Sequence, residues 1–196
     1  MKRLFDILPA LILIIISLPL CLVIIVLILI FSPGPPLFLH RRIGLGGKEF
    51  TLVKFRTMNR SKAGDMCITV EGDERITGIG KLLRKFKLDE FPQLWNILVG
   101  DMTFIGPRPE SPEYVSGYNA SQKEILKYKP GLVDPATLKY RHEERILAQF
   151  SDPEKAYLAE VLPDKIDISL QYQKNRGFKS DLMVILKTIK AVFQKR

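Results

Sequence analysis

The sequence predicts a mostly helical α+β protein in which an N-terminal membrane helix, a β-hairpin and amphipathic interfacial helices surround one small domain. Three observations carry this expectation. No charged residue occurs between residues 7 and 39. A turn at Gly44-Leu45-Gly46-Gly47 is followed by period-two alternation in Phe50, Leu52 and Lys54. Ile79, Leu82, Leu83 and Phe86 then recur at helical spacing, opposite Lys81, Arg84 and Lys85.

The chain has 196 residues, 46% of them hydrophobic, and a formal net charge of +9. That length suits one domain of ordinary size with its own core. Lys2, Arg3 and Asp6 contribute +1 before residue 40, so +8 is spread along the remainder. Beside a membrane segment, such charge suits anionic lipid headgroups and phosphorylated substrates. No nucleic-acid motif is present, and nucleic acid is not an expected partner. Cys21 lies in the apolar run and Cys67 in a polar stretch. They make neither a metal pair nor a disulfide framework, and they fit a reducing compartment.

Residues 7–31 as one helix would be about 37 Å long, enough for a hydrocarbon core of about 30 Å. A plain span is one reading. Pro19, near the middle, removes the bond to the Ile15 carbonyl, and the Ser17 hydroxyl can bond a carbonyl one turn back; both favour a break there. Basic residues flank the run on both sides, Lys2 and Arg3 before it and Arg41, Arg42 and Lys48 after it. Because such residues tend to stay cytoplasmic, a re-entrant helix that bends at Pro19 and returns to its own leaflet is the second reading. A cleaved signal peptide is set aside, since its apolar region is shorter and no Ala-x-Ala-like site follows.

Ser32-Pro33-Gly34-Pro35-Pro36 reads as a rigid connector and residues 42–54 as a hairpin. The glycines before Lys48 look superficially like a phosphate loop, but the GxxxxGK[ST] spacing is missing and Glu49 takes the hydroxyl position. Lys54 and Arg56 put two cations on one strand face. Residues 59–78 are polar and read as a surface loop. The basic amphipathic helix that follows suits either an anionic membrane surface or packing on a core.

That helix leads into Lys87-Leu88-Asp89-Glu90-Phe91-Pro92-Gln93-Leu94-Trp95-Asn96, where two adjacent carboxylates interrupt a basic stretch. Gly106-Pro107-Arg108-Pro109 follows. Carboxylates among cations suit chemistry on a phosphate, which needs a nucleophile or metal ligand and positive charge for the developing anion. The structural alternative is that Asp89 caps a helix with Glu90 in its first turn, and the two roles are compatible.

Further on, Ser121-Gln122-Lys123-Glu124 reads as a capping box opening a helix that ends near Pro130-Gly131, and Ser151-Asp152-Pro153-Glu154 opens another. Leu182, Ile185, Leu186, Ile189, Val192 and Phe193 form an apolar stripe on a last helix, with Lys187, Lys190, Lys195 and Arg196 elsewhere on it. The stripe suits docking on the domain or lying on the bilayer. His142 has no second His at ligand spacing and reads as an exposed helix residue. The organisation is a membrane segment with its connector at residues 1–39, followed by one membrane-associated domain at residues 40–196.

Taken in order, Lys2-Arg3-x-x-Asp6, Ser32-Pro33-Gly34-Pro35, Arg42-x-Gly44, Lys54-Phe55-Arg56-Thr57-Met58, Leu88-Asp89-Glu90-x-Pro92-Gln93-Leu94, Gly100-Asp101-Met102 and Gly106-Pro107-Arg108-Pro109 resemble the motifs of the bacterial monotopic phosphoglycosyl transferases. The resemblance covers nearly the whole chain and matches the small form of that family. Two stretches depart from the pattern. Leu18 separates Ser17 from Pro19 where the family often has Ser-Pro, and Leu132-Val133-Asp134-Pro135-Ala136 stands where many relatives carry Gly-x-Ala-Gln.

The resemblance implies an α+β, mostly helical fold with an N-terminal re-entrant membrane helix around a small catalytic domain, the break falling at Ser17 and Pro19. It implies transfer of sugar 1-phosphate from a UDP-sugar to undecaprenyl phosphate, with release of UMP, as the first membrane step of glycoconjugate biosynthesis. Asp89 would be the nucleophile, and Asp89 with Glu90 would hold Mg²⁺. Lys54, Arg56, Arg84 and Arg108 would contact phosphate. The expected location is the cytoplasmic face of the bacterial inner membrane, among membrane lipids and upstream of further glycosyltransferases. The rival expectations are a non-catalytic membrane-attached module that binds anionic lipid or a partner, and a nucleotide-sugar pyrophosphatase that delivers the phosphate to water.

Overall fold

The apolar run forms one long helix, α1 (Lys2–Phe31), in a computed structural model that describes residues 2–59 and 68–193, apart from the Lys2 and Phe193 side chains. Cys67, Lys195 and Arg196 lie outside the described residues, as does part of the polar stretch 59–78. Helical backbone continues through both Pro9 and Pro19. The Ser17 hydroxyl donates to the Ile14 carbonyl at 3.3 Å, one residue before the Ile15 carbonyl that Pro19 cannot serve.

One stripe of α1 faces the rest of the chain. Ala10, Ile24 and Ile28 are buried, with Ile14 and Cys21 beside them, at the three- and four-residue spacing of a single helix face. Much of the remaining surface, including Leu13, Ile16, Leu20 and Val23, is exposed. Polar contacts fix the helix at both ends. Arg3 donates to the carbonyls of Ile97 and Leu98, each at 2.6 Å, and Asp6 accepts from the Thr103 hydroxyl at 2.7 Å. At the far end Arg56 is buried under the connector and donates to the carbonyls of Ser32, Pro33 and Gly34. Gly34 has φ +118°, and a Cβ there would run into the Arg56 guanidinium.

The hairpin pairs β1 (Leu37–Ile43) with β2 (Glu49–Phe55) in antiparallel register, from Leu37 opposite Phe55 to Ile43 opposite Glu49. It begins five residues earlier than the sequence pattern indicates, because β1 keeps pairing through the exposed Leu37, Phe38 and Leu39, whose lack of alternation hides the strand. Thr77 caps α2 (Gly78–Lys85) by accepting the Gly80 N–H at 3.0 Å. The apolar stripe of α2 divides: Leu83 is buried with Ile24, Ile28 and Phe55, whereas Leu82 and Phe86 stay exposed.

After a tight turn over Leu88–Glu90 comes α3 (Gln93–Val99), and Arg3 and Ala10 of α1 rest against it. Asp89 does not cap this helix. The capping position falls on Pro92, which has no side-chain donor or acceptor, and Asp89 sits inside the preceding turn. A short strand β3 (Thr103–Ile105) pairs in parallel with a later one at Gly131–Val133.

Between those strands lie α4 (Pro112–Ser116) and α5 (Ala120–Lys123). The capping box of α5 is Asn119 with Gln122, two residues before the expected Ser121 with Glu124, and the helical run stops at Lys127. Beyond β4 (Gly131–Val133) come α6 (Pro135–Lys139) and α7 (Glu143–Leu147). His142 precedes α7 and is half-buried, so it is not the exposed helix residue expected. Ser151-Asp152-Pro153-Glu154 opens α8 (Pro153–Ala156) as expected, with Asp152 as the cap. A π-helical turn over Tyr157–Val161 joins it to α9 (Leu162–Lys174). This continuous run buries Tyr157, Val161, Leu162 and Ile166 against Tyr114, Tyr118, Ile125 and Leu147, a core separate from the two that hold α1. The last helix, α10 (Phe178–Phe193), packs against α6 and β4 and buries Val184, which lies outside the predicted stripe. Leu182, Leu186 and Ile189 of that stripe stay exposed.

Candidate active site

Three separate segments converge on the Asp89-Glu90 pair. Strand β2 delivers Lys54, the turn after α2 delivers the two carboxylates, and the loop after β3 delivers Arg108. Lys87 turns the chain out of α2 in a left-handed conformation, φ 56°, the one non-glycine residue with positive φ among the described residues. Such a conformation is unfavourable for a side chain with a Cβ and persists where surrounding contacts fix it. Asn96 locks α3 onto β2: its side chain donates to the Thr51 carbonyl at 2.7 Å and accepts the Val53 N–H at 3.0 Å. The Asn96 side chain therefore ties the helix that follows the carboxylates to the strand that carries Lys54.

Arg108 Nη2 donates to Glu90 Oε1 at 2.8 Å, and Lys54 Nζ stands 3.8 Å from the same oxygen. Asp89 is only 8% exposed, and its Oδ1 has no hydrogen-bond partner. The two neighbours thus differ electrostatically. Burial opposes ionisation of Glu90, but the charges of Arg108, Lys54 and Lys87 outweigh it and hold that carboxyl far below its ordinary range. Burial, reinforced by the adjacent Glu90 charge, pushes the Asp89 carboxyl up, with Lys54, Lys87 and Arg84 acting the other way. Burial and the Arg108 charge bring Lys54 down to about 8, against the pull of both carboxylates. The Arg108 guanidinium is raised by Glu90.

Of the six residues expected at the site, Asp89, Glu90, Lys54 and Arg108 come together. Arg84 is turned to α7, where it donates to Glu144 at 2.6 Å, and reaches Asp89 only through its charge. Arg56 is turned to the connector. Ser17 and Pro19, where a break in the membrane helix is expected, lie within the continuous α1, whose Ala10 and Ile14 pack against α3 and β2. Sequence reasoning overlooked Asn96 and two carboxylates behind Arg108. Asp134 accepts the Arg108 backbone N–H at 3.2 Å, and Glu110 pairs with Arg42 at 3.3 Å. Gly106 and Gly131 cross so closely that a Cβ on either would meet the other segment's backbone, which accounts for glycine in both motifs.

Among the described residues no three His, Cys, Asp or Glu side chains gather into a metal cage. Asp89 and Glu90 are the acidic pair at the site, and the unpartnered Asp89 oxygen gives a cation one free ligand. The arrangement offers a buried carboxylate with an unpartnered oxygen, a second carboxylate held as an anion, and two cations beside it.

Known proteins are similar to this chain over nearly its whole length. The chain is 36% identical over 97% of its length to a UDP-N-acetylgalactosamine-undecaprenyl-phosphate N-acetylgalactosaminephosphotransferase of Aeromonas hydrophila, of which the match covers 43%. It is 33% identical over 96% of its length to a UDP-glucose:undecaprenyl-phosphate glucose-1-phosphate transferase of Caulobacter vibrioides, covering 68% of that protein. With the sugar transferase EpsL of Bacillus subtilis it shares 32% identity over 98% of its length, and 87% of that protein is covered. The chain thus spans less than half of the first relative and about two thirds or more of the other two. Because the family's sequence pattern matches residues 1–195, the helix α1, the hairpin and the Asp89-Glu90 turn all fall inside it, and the chain belongs to the bacterial sugar transferase family.

Proposed function

We propose that this protein transfers sugar 1-phosphate from a UDP-sugar to undecaprenyl phosphate through a covalent intermediate on Asp89. The observation that carries the reading is the buried, unpartnered Asp89 oxygen beside a Glu90 that Arg108 and Lys54 hold as an anion. The Asp89 carboxylate attacks the phosphorus that bears the sugar. An aspartyl O–P bond forms, the bridging O–P bond to the uridine phosphate breaks, and UMP leaves with the bridging oxygen. An oxygen of the lipid phosphate then attacks the same phosphorus and expels Asp89 as carboxylate, leaving a lipid-linked diphosphate sugar. Lys54 and Arg108 neutralise the charge that develops on the phosphoryl oxygens in both steps. Glu90 keeps both cations in place, accepting a hydrogen bond from Arg108 and attracting Lys54 through its charge.

Asp89 and Glu90 fit Mg²⁺ as well, since that ion takes one or two carboxylates together with substrate phosphates and water. When bound it would supply further positive charge for the leaving group. The two-step route lets a water-soluble and a lipid substrate use one nucleophile in turn, so the site must stand at the membrane surface. The exposed Leu82, Phe86, Leu182, Leu186 and Ile189 beside basic residues support that placement. A re-entrant α1 is supported by its two anchored ends: Arg3 on α3 and Ser32 on Arg56 tie both termini to one domain, whereas a span would carry one end across the bilayer. We place the domain on the cytoplasmic face of the inner membrane, where UDP-sugars are made, with later glycosyltransferases taking the product.

The test is UMP release from a panel of UDP-sugars with and without undecaprenyl phosphate. Turnover that requires the lipid, and yields lipid-linked sugar, is the expected result. Equal turnover without lipid, with free sugar 1-phosphate as product, would make the protein a pyrophosphatase. Binding to anionic vesicles with no UMP release from any sugar would make it a binding module.

A further inference from the structure

Asp134 stands behind the site and touches neither dyad residue, yet its carboxylate is 3% exposed and gathers donors from three segments. Its Oδ2 accepts the Arg108 backbone N–H at 3.2 Å, and its Oδ1 accepts the Ala136 N–H at 3.3 Å. Ser169 Oγ, on α9, lies 3.0 Å from one oxygen and 2.9 Å from the other. A buried carboxylate is strongly disfavoured unless donors meet it; two backbone N–H groups do so here, and the single Ser169 hydroxyl hydrogen is shared between the Asp134 oxygens and the Lys165 carbonyl at 2.9 Å. Capping α6 explains only the Ala136 bond. The rest joins the backbone of Arg108 itself to α9.

The same helical run holds the loop on the other side of Arg108. The Tyr157 hydroxyl, in the π-helical turn, donates to Glu110 Oε1 at 2.6 Å, and Arg42 holds the other Glu110 oxygen at 3.3 Å. Gly106 is pressed on Gly131 without room for a Cβ. Arg108 is thus fixed by its backbone from behind while its guanidinium reaches forward 2.8 Å to Glu90. An arginine on a free loop would have to order that loop each time it met the phosphate, whereas one on a pinned backbone is placed beforehand.

We propose that Asp134, with Ser169, is a positioning residue for the transfer: it anchors the Arg108 backbone so that the guanidinium meets Glu90 and the substrate phosphate together. This rests on the phosphoglycosyl transfer proposed above. Asp134 acts through Arg108, so its contribution disappears when the Arg108 guanidinium is gone.

The experiment is a double-mutant cycle in the full-length protein, using Asp134→Ala, Ser169→Ala, Arg108→Ala and the two double variants with Arg108→Ala. It reads kcat/KM for UMP release and hydrogen exchange at the Arg108 amide. Asp134→Ala should lower kcat/KM about tenfold, as loss of a hydrogen bond to a charged group does. It should also speed exchange at Arg108, and Ser169→Ala should do both more weakly. In the Arg108→Ala background neither substitution should lower kcat/KM further. Effects that multiply with that of Arg108→Ala, or unchanged exchange at Arg108, would overturn the proposal. If Asp134→Ala fails to fold, the Ser169 cycle decides on the same criteria. Should the unmodified protein release no UMP, the transferase reading fails by itself, and exchange at Arg108 still decides whether Asp134 anchors that backbone.

Discussion

Arg108 donates to Glu90 Oε1 at 2.8 Å, while the adjacent carboxylate, Asp89, keeps a buried oxygen with no partner. Two neighbouring acids are thereby given different protonation behaviour: one is an anion held by cations, the other a carboxylate whose charge is opposed by burial and by its neighbour. A pair pushed apart in this way suits a division between nucleophile and electrostatic support.

Asp89→Asn should remove turnover by at least about 10³-fold, because the amide keeps the size of the side chain and loses the attacking charge. With UDP-sugar alone the unmodified protein should accumulate a sugar-phosphate adduct at Asp89, visible by mass spectrometry of the intact chain and its peptides. An adduct mapped to any other residue rejects Asp89 as nucleophile.

The pH profile of kcat/KM should be a bell with both limbs displaced. Asp89 attacks only when ionised, and burial with the Glu90 charge raises its carboxyl, so the acid limb should lie above the ordinary aspartate value of about 3.9. Lys54 is held down to about 8, so as pH rises through that value it loses the charge that meets the phosphate. An unperturbed lysine would keep its charge to about 10.4. Lys54→Arg should abolish the alkaline limb, since a guanidinium stays protonated. An alkaline limb unmoved by that substitution belongs to another group.

The dyad was legible because charge and order are local: two acids inside a basic run can be read without knowing what lies opposite them. The hairpin turn and the helix start at Ser151-Asp152-Pro153-Glu154 were legible for the same reason. The α5 cap was not, since Asn119-x-x-Gln122 and Ser121-x-x-Glu124 both satisfy the pattern and only the fold chooses between them. Arg56 and Arg108 sit in equally basic motifs, yet one guanidinium faces the connector and the other the dyad. Asn96, Asp134 and Glu110 gave no signal because each acts on a segment distant in sequence.

Glu90→Gln should cost both metal dependence and rate. The substitution removes the charge that Arg108 and Lys54 share, leaving two cations close together with less to hold them. Titration with Mg²⁺ should show a weaker apparent affinity in the variant and a rate lower by about 10²-fold. Full turnover of the unmodified protein in excess chelator would remove the metal from the reaction.

Arg56→Ala should act on stability first. The guanidinium serves three connector carbonyls from a buried position, and hydrogen bonds to a charged donor are worth about 1.5–3 kcal/mol each before the segment relaxes. A net loss of roughly 3 kcal/mol corresponds to a Tm lower by about 6–12 °C in a chain of this size. An unchanged Tm with a raised KM for the UDP-sugar would instead make Arg56 a substrate contact.

The ends of α1 should lie on one side of the membrane. Arg3 bonds the carbonyls at the end of α3, and the connector after Phe31 is clamped by Arg56, so both termini of the helix belong to one domain. A straight span of about 30 hydrophobic Å would place one of these contacts beyond the opposite leaflet. Ser17 donates to the Ile14 carbonyl, next to the Ile15 carbonyl that Pro19 leaves without its helical bond, so this is the point at which the helix can bend least expensively. Single cysteines at positions 1 and 42, in a background with Cys21 and Cys67 replaced, should both resist an impermeant thiol reagent in intact cells and both react after lysis. Labelling of only one of them in intact cells would establish a span. In that case the contacts of Arg3 and Arg56 could not both form in the membrane, and the loss would show as unaltered Tm in Arg3→Ala, while the chemistry assigned to Asp89 would stand on its own tests.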